Sequence, residues 1–448
     1  MKKLLKIFGV ILFLLIAYLV ILQVYPKNAG RFPYFVLLFL GDVYLYVSVG
    51  KWIKGRKPFY RGLLGVLYWM PLLLLVFAVF VILSMPGGMN DHLRIYLFGF
   101  VFIAYAAKLL PIVFLLFADF VCGVRYVNHK VNKSAEKKKS IPVEGEKMTR
   151  SRFLQKAGLV SGGIMFGGLL TGMLKWVYDF RIRRETIRLQ GLPASFSGLR
   201  IVQISDIHLG SWAAVHPLEE AVALINRMRP DLIFFTGDLV NYKTGEAYRF
   251  ENILNKLKAG YGIFATLGNH DYGDYTRWPS QTAKMKNLTD LYEFFDRLGW
   301  KLLNNEHHLL ENEDGQLAVI GVENWGAYSR FPKYGDIEKA AAGTEDAAVK
   351  LLLSHDPTHW DVVISKKYPD IDVTFAGHTH GFQFGIDTRR VKWSPAQWVY
   401  KHWAGMYQNP AATEKPQYLY VNRGLGTIGY PGRVGILPEI TLFELLTA

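Results

Sequence analysis

Hydrophobic positions along the 448-residue chain follow two rhythms. Up to about residue 125 they form long runs. From about residue 199 they form short bursts rich in Ile, Val and Phe, each closed by Gly, Asp, Asn, Ser or His. Four of the long runs, at about 4–24, 33–50, 63–84 and 95–122, approach the roughly 20 residues that a bilayer-spanning helix needs. The second is short and contains Asp42. A milder, Gly-rich run follows at 157–177. The expected organisation is a four-helix transmembrane domain over 1–124, a basic linker over 125–156, a fifth membrane or signal-like helix over 157–177 and a folded domain over 178–448.

The short bursts predict an α/β fold. GLRIVQISDIH reads as a strand ending at Asp206, and 215–228 has helical spacing. DLIFFTGD at 231–238 is a second buried strand, 248–258 again looks helical, and YGIFATLGNHD at 261–271 is a third strand. Further strands fit 316–323, 349–354, 371–376 and 418–423, with a closing strand within 434–445. Strand and helix alternate, which indicates a parallel sheet. In such sheets ligands gather just past the carboxyl ends of the strands.

Charge sharpens the division. The net charge of +15 is uneven: residues 1–156 carry 22 Lys and Arg against 6 Asp and Glu, and the rest carry 30 against 31. The basic excess belongs to the membrane flanks, so no nucleic-acid-binding face is expected on the folded domain. The flanks run rich, poor, rich, poor, rich in Lys and Arg, ending with ten between Arg125 and Lys156. By the positive-inside rule this order fits a cytoplasmic N-terminus and four spans. Arg150 and Arg152 resemble a twin-arginine export signal, although Ser151 separates them and the segment is internal. Otherwise the run at 157–177 is a fifth span. Either way 178–448 is expected outside the cytoplasmic membrane; a segment lying flat would leave it inside. Asp42, Lys108 and Asp119 show no organised intramembrane pattern, so the helices are expected to anchor. The single cysteine, Cys122, excludes an intrachain disulfide and any Cys-rich metal site.

Five strand ends each deliver a metal-competent group. Asp206 and His208 follow the first strand, Asp238 the second and Asn269, His270 and Asp271 the third. His355 follows 349–354, and His378 and His380 follow 371–376. Any one of these alone reads as a helix cap, a turn residue or a satisfied histidine. Five in one register do not. Mixed oxygen and imidazole donors suit Mn, Fe, Zn or Co rather than a thiolate zinc site, with manganese the expected ion. One His-x-His, one Asp-x-His, one further Asp, one Asn and one further His give seven of these groups, too many for one ion but enough for two that share a carboxylate. Two such ions clamp the attacking and leaving oxygens of phosphoryl transfer, with a bridging hydroxide as nucleophile.

DIH at 206–208, GDLVN at 237–241, GNHD at 268–271, SHD at 354–356 and GHTH at 377–380 resemble the five ordered motifs of the calcineurin-like metallophosphoesterases. The resemblance covers about 198–446 and, with GHTHGFQ and LYVNRGLGTIGYPGR, points to their membrane-anchored bacterial phosphodiesterase branch. It implies a two-sheet αββα sandwich behind an all-α transmembrane region. It implies that Asp206, His208 and His380 hold one ion, that Asn269, His355 and His378 hold the other, and that Asp238 bridges them. His270 becomes the non-ligand histidine that protonates the leaving oxygen or steadies the phosphorane. Many relatives place Asp where this chain has Asn241; its carbonyl is expected to orient His270 while raising the ring's basicity less, with Asp271 available to compensate. Phe382 stands where relatives often have Gly and is expected to wall the site.

Three further expectations concern the substrate. Arg423 meets a phosphate or forms a buried ion pair. His216 touches the substrate or lies on the surface. Residues 392–407, with Trp393, Trp398, Tyr400, Trp403 and Tyr407, form a rim facing the bilayer or part of the core. The expected function is a membrane-anchored dinuclear phosphoesterase acting on a phosphodiester or pyrophosphate of a lipid-linked or envelope substrate. One alternative is a cytoplasmic-face UDP-2,3-diacylglucosamine hydrolase of lipid A biosynthesis. Another is a membrane receptor or scaffold with a decayed domain, which the complete ligand set disfavours.

Overall fold

The computed structural model describes residues 12, 14–23, 26–84, 91–131, 150–388, 390–409 and 415–448. Most of the basic linker and the first half of the first apolar run lie outside the described residues. The chain divides into two compact units, Met1–Asn90 with Leu97–Gly168 and Asp91–Tyr96 with Leu169–Ala448.

Four helices are long and apolar enough to cross a membrane: α1 (Phe32–Lys54), α2 (Pro58–Ser84), α3 (Asp91–Val131) and α4 (Arg150–Leu174). Leu14–Gln23 is a shorter apolar helix. The short second run thus forms a 23-residue helix. The polar residues of this unit are organised after all. Asp42 on α1 is 1% exposed. It accepts from Lys108 Nζ at 2.6 Å and from Tyr105 Oη at 2.8 Å, both on α3. Its own carbonyl accepts from Tyr68 Oη on α2 at 2.6 Å. Positions so far apart in sequence give no local pattern, which is why the cluster was not legible there. A carboxylate in hydrocarbon must be paired.

The second unit is the α/β fold. One sheet orders its strands β1 (Arg181–Leu189), β12 (Glu439–Thr447), β2 (Leu199–Ile204), β3 (Leu232–Thr236), β4 (Gly262–Thr266) and β5 (Lys301–Leu302). The other orders β10 (Gly405–Gln408), β11 (Tyr418–Val421), β9 (Val373–Ala376), β8 (Val349–Leu353), β7 (Gly315–Gly321) and β6 (Glu306–Asn312). β2 to β5 are mutually parallel, as are β7, β8, β9 and β11.

Strand side chains alternate between faces, and both faces are apolar because both are covered. Ile201, Phe234, Phe264, Leu351 and Phe375 fill the layer between the sheets. Val202, Ile233 and Phe235 turn outward onto Leu218 and Val222 of α5 (His216–Arg227) and Phe294 of α6 (Gln281–Arg297). Ile320 and Leu352 turn the other way onto Trp360 and Ile364. Four layers result, the expected αββα sandwich. The helix expected at 248–258 shrinks to Glu251–Leu254 after a short 3-10 turn.

Candidate metal centre

The carboxyl ends of β2, β3, β4, β8 and β9 converge on one point. At that point the backbone is driven into an unusual conformation. Asp206, His208, Asp238, His378, His380, Phe382 and Gln383 all have positive φ, between 49° and 72°. Only Arg229 and Asn305 share this conformation among the other described non-glycine residues. Each such L-residue costs about 1–2 kcal/mol, so a cluster of them marks a function that the surrounding fold sustains. Two glycines leave room for the close approach. A Cβ on Gly268 would stand 2.2 Å from Asp238 Oδ1, and one on Gly377 would stand 2.3 Å from Asp206 Oδ2.

Two groups of ligand-type atoms emerge: Asp206, His208 and His380, and Asp238, His355 and His378. In the first, His208 Nε2 lies 3.1 Å from His380 Nε2, which lies 3.2 Å from Asp206 Oδ1. In the second, His355 Nε2 lies 3.2 Å from both Asp238 Oδ2 and His378 Nδ1. Asp238 Oδ2 is also 3.5 Å from His208 Nε2, so one carboxylate oxygen adjoins both groups. Asn269 is buried beside them, and its Oδ1 has no hydrogen-bond partner. Imidazole nitrogens 3.1 Å apart share a proton or a cation. Together with an orphaned amide oxygen and two carboxylates, they form a donor set that fits divalent ions.

Electrostatics without metal show the same demand for positive charge. Burial alone would raise the Asp206 and Asp238 carboxyls. The His380 ring beside Asp206, and the His355 and His270 rings beside Asp238, hold them well below the usual range instead. Burial alone would lower His355; the Asp238 carboxylate pushes it up to about 10. His208 and His378, lacking so close a carboxylate, are lowered by burial.

Ring orientations are fixed from behind. His355 Nδ1 donates to the Thr236 carbonyl at 2.7 Å, leaving Nε2 to face the cluster. His378 Nε2 meets Tyr400 Oη at 2.9 Å and Asp356 Oδ2 at 3.6 Å, leaving Nδ1 to face inward. Asp271 gathers the N–H groups of Gly268, Asp238 and Leu239 at 2.8–2.9 Å and of Val240 at 3.3 Å, locking two ligand loops together. The clusters open into a cavity of about 560 Å³, also lined by His270, Tyr275, Arg330, Phe331, Phe382 and Tyr400.

Comparison with known proteins agrees with this geometry. Residues 199–382 match the calcineurin-like phosphoesterase family, and residues 10–176 match the family described as probable calcineurin-like phosphoesterase, transmembrane domain. The chain is 30% identical over 303 residues to the UDP-2,3-diacylglucosamine pyrophosphatase LpxG of Chlamydia trachomatis, covering 58% of this chain and 89% of that one. The chain belongs to the calcineurin-like metallophosphoesterases. It is also 29% identical over 309 residues to the metallophosphoesterase YkuE of Bacillus subtilis, covering 67% of this chain and 98% of that one. To the transmembrane protein with metallophosphoesterase domain of Danio rerio it is 29% identical, covering 58% of this chain and 56% of that one. It is therefore a metal-dependent phosphoric ester hydrolase with a membrane region.

The remaining site expectations separate within this phosphoesterase. His270 lines the cavity, its ring stacked on Tyr275 at 4.2 Å and edge-on to His208 at 4.9 Å. Its Nδ1 is held by Asn241, but by the main-chain carbonyl, at 2.8 Å. The Asn241 side chain turns away and donates to Ser211 Oγ. Asn in place of Asp therefore leaves the orienting contact intact, and Asp271 serves the backbone rather than His270. Phe382 stands in the cavity wall, 44% exposed. Its left-handed φ of 51° explains why glycine suits this position.

Arg423 is not among the residues lining the cavity; it is buried between Glu439, at 2.5 Å, and Asp387, at 3.0 Å. His216 is exposed at the start of α5, 3.7 Å from Glu220. In the aromatic stretch, Trp398 is 73% exposed while Tyr400 and Trp403 are buried. Asp356 belongs to the SHD motif at 354–356 and Tyr400 to the aromatic stretch at 392–407, whereas Arg330 comes from a loop with no local signal.

Proposed function

We propose that this phosphoesterase hydrolyses a phosphodiester or pyrophosphate of a lipid-linked or envelope substrate with two divalent ions, manganese first. Asp206, His208 and His380 would hold one ion and Asn269, His355 and His378 the other, with Asp238 serving both. When bound, the ions supply Lewis acidity and an acidified water nucleophile. The observation that carries this reading is the single Asp238 oxygen within 3.5 Å of a histidine from each group.

The chain's own residues do the rest. Asn241 holds Nδ1 of His270, so the protonated ring offers its Nε2 proton to the leaving oxygen. Asp356 and Tyr400 keep His378 turned inward, and Asp271 keeps Asp238 and Asn269 in register. Phe382, Phe384, Ile386, Val391 and Trp398 leave an exposed apolar surface that includes the cavity wall, which supports a lipid-bearing substrate. Turnover of bis-p-nitrophenyl phosphate, a monoester and a UDP-linked lipid, each with and without metal, tests the proposal. Trp398→Ala is expected to lower turnover of a micellar lipid substrate relative to a soluble one; equal effects on both would refute the lipid surface.

We propose that the catalytic domain lies on the extracytoplasmic side; the Lys and Arg alternation supports it, with the shorter apolar helix Leu14–Gln23 counted as a span before the four longer ones. Protease access to a tag after Ala448 in spheroplasts tests that placement; protection would put the domain inside. The name of the Chlamydia relative supports a second reading, a cytoplasmic-face hydrolase of UDP-2,3-diacylglucosamine. That reading calls for a protected tag and preferred turnover of the UDP-linked lipid.

A further inference from the structure

Arginines near the cavity have different surroundings. Arg423 is neutralised by Glu439 and Asp387. Arg433 is fully buried, with Nη2 donating to the carbonyls of Arg423, Gly424 and Gly426. Arg330 is exposed, lines the cavity, and pairs with no carboxylate among the described residues. Among the described residues its polar contact is a 3.4 Å approach to Tyr400 Oη. The guanidinium rests over Phe331 at 4.7 Å and Tyr328 at 5.8 Å. Such faces steady an arginine without neutralising it.

The loop that presents it is well pinned. Phe331 N donates to the Tyr328 carbonyl at 3.0 Å, Asn324 Nδ2 to the Pro332 carbonyl at 3.1 Å, and Ala327 N to Thr358 Oγ1 at 2.9 Å. Phe331 also stands edge-on to His378, 4.7 Å between ring centres. Arg330 is thus tied to one cluster while its charge stays outside both. A phosphate held at the clusters leaves that charge unmet, in a cavity of about 560 Å³ that has room for more.

We infer that Arg330 binds a second anionic group of the substrate, next to the phosphate under attack. This deepens the phosphoesterase reading and rests on it. The ligand chemistry is an oxyanion presented to a planar fork, as in the second phosphate of a pyrophosphate or a separate phosphate on the same molecule. Arg330 is a specificity residue: it binds, and the bond cleaved is set by the clusters.

The test uses the full chain with metal and compares kcat/KM for three substrates: bis-p-nitrophenyl phosphate, a pyrophosphate diester, and a phosphodiester carrying a separate terminal phosphate. Arg330→Gln should lower turnover of one of the last two by at least about tenfold more than that of the first, mainly through KM, as loss of a charge-assisted contact implies. Arg330→Lys should recover part of the difference, because it keeps charge and loses the fork. Whichever substrate shows the selective loss identifies the source of the second charge. Equal losses on all three, or no selective loss, overturn the inference, as does a wild type unable to cleave either doubly charged substrate. Absence of bis-p-nitrophenyl phosphate hydrolysis by the wild type would instead count against the reading of the clusters. A melting temperature matching the wild type separates recognition from misfolding.

Discussion

Buried carboxylates occur in both units, and they are treated in opposite ways. The Asp42 carboxylate in the helical unit is matched oxygen for oxygen by Lys108 and Tyr105. Asp206 and Asp238 in the phosphoesterase unit are surrounded by imidazoles whose nitrogens face one another across about 3 Å, beside an amide oxygen with no partner. The first arrangement is closed. The second has donors left over, aimed at common points, on a backbone bent into left-handed turns. A satisfied buried charge indicates a scaffold, and an oversupplied one indicates a binding site.

Perturbing each side should produce different failures. Asp238→Asn should lower hydrolysis by about 10^3-fold or more, since removing even one charge-stabilising group from a preorganised site costs about 10^2–10^3. Retention of a tenth of wild-type turnover would sink the shared-carboxylate scheme. His270→Ala should cost about 10^2–10^4 in kcat while the metal content stays at the wild-type level, as expected of a proton donor that is not a ligand. Loss of metal in that variant would place His270 among the ligands.

Lys108→Met leaves Asp42 unpaired and should destabilise the helical unit by about 3–5 kcal/mol. Adding Asp42→Leu should restore much of that stability. A double variant no more stable than the single one would show that the pair does more than close the bundle. Asn241→Ala should change kcat less than about tenfold, because the contact to His270 comes from the main chain.

Acid should act on the open site. Without metal, His355 titrates near 10 rather than 6.5 because Asp238 holds its proton. That proton stabilises the metal-free fold fully below about 6.5, and the contribution fades as pH rises through 10. Metal must displace it, so apparent affinity should climb between about pH 7 and 10, by up to about tenfold per unit. An affinity flat across that range would mean that His355 does not exchange its proton for metal.

How far the sequence was legible follows the same contrast. The sandwich and its strand-end residues could be read because each apolar burst stops at the chemistry it delivers. β2, β3 and β4 end where Asp206, Asp238 and Asn269 begin to matter. What could not be read depends on residues brought together from afar: Tyr400 behind His378, Arg330 over Phe331, and Asp42 with Lys108 from helices about 66 residues apart. Arg423 invited a substrate role because it follows a strand. Its partners Glu439 and Asp387 lie on other segments, and only the fold brings them together. Asn241 orients His270 through its main-chain carbonyl, a contact that a motif, which names side chains, does not specify.

The central claim is that two ions share Asp238. Metal content per chain, measured by mass spectrometry on purified wild-type and Asp238→Asn protein after equilibration with manganese, tests it most directly. Two ions per wild-type chain, with at least one lost in the variant, are expected. One ion or none in the wild type, or two retained in the variant, would contradict it.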